Sequence, residues 1–121
     1  QEIGDRIEAD FDIINIGGGY DLCYVLDKKD EGELKKAAQV YEPYTGRELT
    51  VHTTEPAVQL YTGNNLEGEM GKSERAYNPH SAFCLETQHF PDSPHHDNFP
   101  STVLRPGEKY RTVTEFNFDL I

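Results

Sequence analysis

A glutamate interrupts an apolar run in Ser81-Ala82-Phe83-Cys84-Leu85-Glu86-Thr87-Gln88-His89. In a strand, alternation puts Ala82, Cys84, Glu86 and Gln88 on one face and Phe83, Leu85 and Thr87 on the other. A carboxylate that shares a face with Ala and Cys is partly removed from water, which makes it a better base near neutral pH. The bland alternative is a Glu86 that points to solvent or pairs with an arginine. Two more polar residues stand in apolar strands: Asp21 between Tyr20 and Leu22, and Gln59 in Val58-Gln59-Leu60-Tyr61. Singly, they read as a turn-capping Asp and an outward-facing Gln. Taken with Glu86 they line one polar pocket. Carboxylate and amide groups walled by Tyr20, Tyr61 and Phe83 suit a hydroxyl-rich ligand.

Other constellations are weaker. Gly17-Gly18-Gly19 invites a dinucleotide loop, but that fingerprint needs glycine where Leu22 stands and a helix where a strand pattern follows. The glycines are a turn. His89, His95 and His96 with Asp92 and Asp97 resemble a metal cluster in composition, yet no pair has the helical spacing of a zinc protease and prolines break the segment. Packing and hydrogen bonding are the expected roles, with no metal. Ser81 lacks the Gly-flanked elbow of a serine nucleophile. Cys23 and Cys84 stand alone inside apolar strands, so buried, inert thiols are expected, with a single bridge as the alternative.

The elements that must position these residues are read from turn chemistry. Asp30-Glu31-Gly32, Pro43-Tyr44-Thr45-Gly46, Thr62-Gly63-Asn64-Asn65, Pro91-Asp92-Ser93-Pro94 and Pro106-Gly107 recur at short intervals. Between them lie stretches rich in Tyr, Phe, Val, Thr and Leu, the pattern of an all-β, antiparallel β-sandwich. Strands are predicted over 20–27, 48–53, 57–61, 82–87 and 110–118. The last is clearest, with Tyr110, Thr112, Thr114, Phe116 and Phe118 on one face. Residues 31–39 contain good helix formers, but the turn at Pro43 follows closely, so 34–41 is read as a strand and Asp30–Gly32 as a hairpin tip. Residues 90–102 form a long proline-rich loop that Phe90 and Phe99 should pin down.

Composition bounds the function. The 121 residues suit one domain, and 22 Asp+Glu against 11 Lys+Arg give a net charge of −11. That argues against a nucleic-acid binder or an anionic-membrane binder, both of which need a basic face. No apolar run approaches membrane-spanning length. Seven Tyr and six Phe are too many for a disordered acidic tail. The first residue is Gln1 and the only methionine is Met70, as expected of a processed form or of a piece of something longer.

Three long motifs together resemble one family. Thr53-Thr54-Glu55-Pro56-Ala57-Val58-Gln59-Leu60-Tyr61-Thr62-Gly63-Asn64 resembles the T-T-x-P-G-V-Q-x-Y-T-G-N segment of the aldose 1-epimerases, or galactose mutarotases. His80-Ser81-Ala82-Phe83-Cys84-Leu85-Glu86-Thr87-Gln88 resembles their H-S-G-F-C-L-E-T-Q, and the run from Phe99 to Glu108 their F-P-x-x-x-L-R-P-G-E. Gly19-Tyr20-Asp21 is similar to their G-[FY]-D-H.

The resemblance implies a galactose-mutarotase-like supersandwich that interconverts the α and β anomers of aldohexoses such as galactose or glucose. It makes Glu86 the general base and Asp21 and Gln59 the contacts to sugar hydroxyls, with a monosaccharide as partner, no cofactor and a cytoplasmic setting. It covers only the family's C-terminal portion. The histidine acid of N-H-x-Y-F-N has no counterpart here, so residues 1–121 read as a single partial domain, inactive alone, whose partner is the missing N-terminal part of the same fold. Leu22 replaces the family's His, and Ala82 its Gly. The alternative is a non-catalytic carbohydrate-binding β-sandwich module.

Overall fold

The computed structural model describes residues 2–28, 30 and 32–121. Its strands are β1 (Asp21–Val25), β2 (Lys35–Glu42), β3 (Arg47–Thr53), β4 (Ala57–Tyr61), β5 (Glu69–Met70), β6 (Ala76–Tyr77), β7 (Cys84–Gln88) and β8 (Thr114–Leu120). They form sheets ordered β1-β4-β7, β2-β3-β8 and β5-β6. The expected all-β character holds. One short helix, α1 (Asp12–Gly17), and three 3-10 turns complete the elements among the described residues. The chain divides into two compact units, residues 1–23 with 59–86 and residues 24–58 with 87–121.

In the second unit, pairing overrides helix propensity. Lys35–Glu42 contains Lys-Lys-Ala-Ala, yet it runs antiparallel to β3, from Lys35 opposite Thr53 to Glu42 opposite Arg47, with a bulge between Lys36 and Ala38. The turn that follows is closed by its own chemistry. Glu42 accepts from the backbone N–H of Tyr44 at 2.6 Å and of Thr45 at 2.9 Å, and from the Thr45 hydroxyl. Those donors hold the Glu42 carboxyl below its ordinary range, the Thr45 hydroxyl first among them. Gly46 supplies the positive φ of 72° that the turn needs.

β8 pairs with the other edge of β3, Thr53 opposite Thr114 and Arg47 opposite Leu120. The strand begins at Thr114, four residues later than the sequence pattern suggests, because 110–113 bond to the 53–55 turn instead. Ala38, Val40, Leu49, Val51, Phe116 and Phe118 fall on one face of this sheet by register. Val51 at its centre is fully buried, while Phe118 and Leu120 remain 79% and 71% exposed. The centre of the apolar face is covered and its margin is open.

The 90–102 loop is pinned as its aromatics suggest. Phe90 meets Phe99 edge-on at 5.1 Å, His96 stacks on Phe99 at 4.6 Å, and buried Ser93 donates to the Phe90 carbonyl at 2.6 Å. Glu31, in the middle of the expected hairpin tip, lies outside the described residues.

In the first unit, α1 ends at the triple glycine. Gly18 caps it in the left-handed region, its N–H reaching back to Ile14, and a strand follows, not the helix of a dinucleotide loop. Gly19 (φ 144°) stands where a side chain would not fit: a Cβ there would lie 2.5 Å from Asn64 Oδ1 and 2.8 Å from His80 Nε2. Ile14 and Tyr20 are the buried apolar residues here. The cysteines are a correction. They are not bridged, Cys84 is exposed and Cys23 half-buried, because alternation cannot say whether a strand face is covered.

Candidate functional site

The turn that precedes Asp21 is locked from three directions. Tyr20 N–H donates to Thr62 Oγ1 at 3.0 Å, Thr62 N–H returns to the Tyr20 carbonyl at 3.1 Å, and Asn64 Nδ2 donates to that same carbonyl at 3.0 Å. His80 Nε2 donates to the Gly18 carbonyl at 2.8 Å. The segments before β1, after β4 and before β7 therefore meet at one knot of hydrogen bonds.

From that knot, Asp21 begins β1, Gln59 is the middle residue of β4 and Glu86 the middle residue of β7. Strand β4 lies between the other two. All three residues belong to the first unit. Gln59 Nε2 donates to Asp21 Oδ1 at 2.6 Å, so two of the three sequence candidates are joined directly. Gln59 Oε1 is buried and has no partner among the described residues, an acceptor left over once its amide is used.

Glu86 bonds to neither of them. It is exposed, and it makes no hydrogen bond or ion pair among the described residues. The expected partial burial is not found: Glu86 and Cys84, which share a face of β7, are both exposed. Of the expected aromatic walls, Tyr20 is buried in the core, Tyr61 is half-buried and accepts from Asn65 N–H through its hydroxyl, and Phe83 is exposed. An uncommitted carboxylate beside a paired acid and amide can take a proton from a hydroxyl group. The Asp21 carboxylate, fixed by Gln59, offers an acceptor for another.

The histidines do other work. His95 and His96 both reach Asp92, the second at 3.3 Å. His52 Nδ1 is buried and has no hydrogen-bond partner among the described residues. Among the described residues, no group of three His, Cys, Asp or Glu is placed to hold a metal ion, and no helix is long and apolar enough to cross a membrane.

Sequence reasoning overlooked Glu55. It sits in the turn between β3 and β4, 4% exposed, where its N–H donates to Thr53 Oγ1 at 3.0 Å. His89 Nδ1 donates to Glu55 Oε2 at 2.6 Å, and Tyr110 OH to Oε1 at 2.5 Å. Burial pushes the Glu55 carboxyl up, but the donors from Tyr110 and Thr112 and the charge and hydrogen bond of His89 together hold it below its ordinary value. The bond to Glu55 in turn raises the Tyr110 phenol, helped by burial and by the carboxylate charge. The only hint in the sequence was a carboxylate wedged between Thr54 and Pro56.

The model of the family described as aldose 1-epimerase matches residues 1–117. The chain is 47% identical over 103 residues to the galactose mutarotase of Rattus norvegicus, covering 84% of this chain and 30% of that protein. It is 42% identical over 120 residues to that of Homo sapiens (98% and 33%) and 39% identical over 102 residues to the aldose 1-epimerase of Escherichia coli (83% and 29%). A crystal structure of an aldose epimerase homologue from C. elegans aligns with a TM-score of 0.75 at 26% identity, covering 84% of this chain and 30% of that one. That likeness bears out the mutarotase-like architecture expected from the motifs. The chain spans about a third of the length of the curated relatives it matches.

Proposed function

The chain belongs to the aldose 1-epimerase family, and on that premise we propose that it carries the base side of a mutarotase site for aldohexoses. The observation that supports this most is the 2.6 Å bond between Asp21 and Gln59, the latter on the strand next to the one that bears Glu86. In this reading Glu86 removes the proton from the anomeric hydroxyl, while an acid outside this chain protonates the ring oxygen. The C1–O5 bond breaks to give the open-chain aldehyde. Rotation about C1–C2 and reclosure, with the proton roles reversed, deliver the other anomer. Asp21 Oδ2 accepts from a sugar hydroxyl, with the Gln59 amide fixing the carboxylate, and holds the ring while it opens.

No histidine here is offered as the acid. His80 is spent on Gly18, and His89 on Glu55. The acid then belongs to the portion of the relatives' length that this chain does not span, which is its partner in the reaction. A second reading, a sugar-binding module without catalysis, draws on the same lack of an acid. Glu86→Gln in a form that includes the acid-bearing portion separates the two. A general base contributes about 10²- to 10⁴-fold, so polarimetry of fresh α-galactose should show a loss of kcat on that scale with unchanged melting. Activity within twofold of the parent, about 0.4 kcal/mol in barrier, removes Glu86 from the base role.

A further inference from the structure

A cavity of about 550 Å³ lies in the second unit, bordered by the Glu55–His89–Tyr110 network and by residues of the 24–32 and 100–111 segments. The proposed sugar site contributes none of Asp21, Gln59 or Glu86 to it. Its volume falls within the range of small-molecule sites, roughly 300–1,000 Å³.

Its charge runs against that of the chain. Acids outnumber bases 22 to 11 overall, yet Lys28, Lys109 and Arg111 border this cavity and only Asp30 and Glu55 oppose them. Glu55 is already satisfied, one oxygen by His89 and the other by Tyr110. Lys28 is mostly spent too, donating to the carbonyls of Glu33 at 3.0 Å and Thr53 at 2.7 Å, with burial lowering its pKa against the pull of Glu33 and Glu55. Lys109 and Arg111 differ. Neither has a hydrogen bond or ion pair among the described residues, in a chain where carboxylates are plentiful.

A guanidinium fork beside an ammonium point charge matches a dianion with several oxygens better than a single carboxylate. Val25, Leu26 and Leu104 supply apolar wall for a carbon body. His89 commits its Nδ1 to Glu55, which leaves Nε2 for a hydrogen bond with a ligand hydroxyl. We propose that this cavity binds a small hydroxylated phosphomonoester, with Lys109 and Arg111 on the phosphate and His89 on a hydroxyl.

The test is a ¹⁵N and ¹³C chemical-shift titration of this chain at low salt. Glucose 6-phosphate is the probe, and glucose, inorganic phosphate and succinate are comparators. Glucose 6-phosphate should shift the 109–113 amides and the His89 ring signals saturably, with a dissociation constant near 1 mM. Inorganic phosphate should shift the amides more weakly and leave His89 in place. The double variant Lys109→Gln, Arg111→Gln should weaken binding about tenfold, with its melting temperature unchanged because both residues are exposed. Absence of saturation at about 20 mM overturns the proposal. Equal binding of succinate, the same response to neutral glucose, or unchanged affinity in the double variant would each overturn it too.

Discussion

Glu55→Gln keeps the shape of a buried side chain and removes its charge. In the parent, one carboxylate oxygen accepts from Tyr110 OH and the other from His89 Nδ1, at 2.5 and 2.6 Å. A glutamine can accept only one of these, and its amide N–H then faces a second donor at hydrogen-bond distance. Hydrogen bonds to a charged group are worth about 1.5–3 kcal/mol, and a stranded buried donor costs about 1–3 kcal/mol. The imidazole is partly open to water and recovers some of that, so the net loss should be about 3 kcal/mol. For a chain of this size that is on the order of 10 °C in melting temperature.

The sign with pH follows from the lowered folded-state value of Glu55. Its contribution is complete above the ordinary glutamate value of 4.5 and disappears as pH falls through the lower folded value. Urea unfolding of parent and variant at neutral pH and again below about pH 4 reads both limits, with the gap closing in acid. A variant within about 0.5 kcal/mol of the parent at neutral pH, or a gap that widens in acid, would refute the view that this carboxylate ties three segments together.

Gly19→Ala forces a Cβ to within 2.5 Å of Asn64 Oδ1 and 3.0 Å of Thr62 Oγ1 at a φ of 144°, so a loss of about 3 kcal/mol or more is expected. Gly68→Ala has a positive φ but nothing within 4 Å and should cost only about 1 kcal/mol; denaturant midpoints compare the two. A double-mutant cycle of Asp21→Ala and Gln59→Ala should show a coupling of about 0.5–1 kcal/mol in stability, small because Asp21 is exposed. Zero coupling would mean that the pair is not formed in solution. Residues 1–121 alone should not accelerate glucose mutarotation above buffer in a polarimeter, and a rate clearly above it would place an acid within this chain.

The strands were legible wherever local pattern and tertiary partner agree. β4 falls where Val58-Gln59-Leu60-Tyr61 placed it, and β2 forms where the Pro43 turn outweighed its helix formers. α1 was not legible: six residues are too short for a periodicity, and the helix owes its end to the Gly18 cap. The Asp21–Gln59 contact was anticipated as shared lining, though the direct bond between them was not. The exposure of Glu86 and Cys84 shows the limit of strand alternation, which assigns faces without saying what covers them. Glu55 shows another. Its partners come from 34 and 55 residues away, and no local spacing encodes such a meeting.

Because Glu42 ties up the donors of its own turn, β2 and β3 meet across residues 43–46 alone. Such a hairpin zips within about 1–10 μs. β8 must be brought in from sixty-one positions further along, at Thr53 and Thr114, and loses far more chain freedom before any ladder bond is made. A refolding molecule therefore passes through an interval in which the hairpin stands complete and the second edge of β3 is bare. Strands from other copies compete for that edge, so recovery on refolding should rise with dilution more than with any change of denaturant.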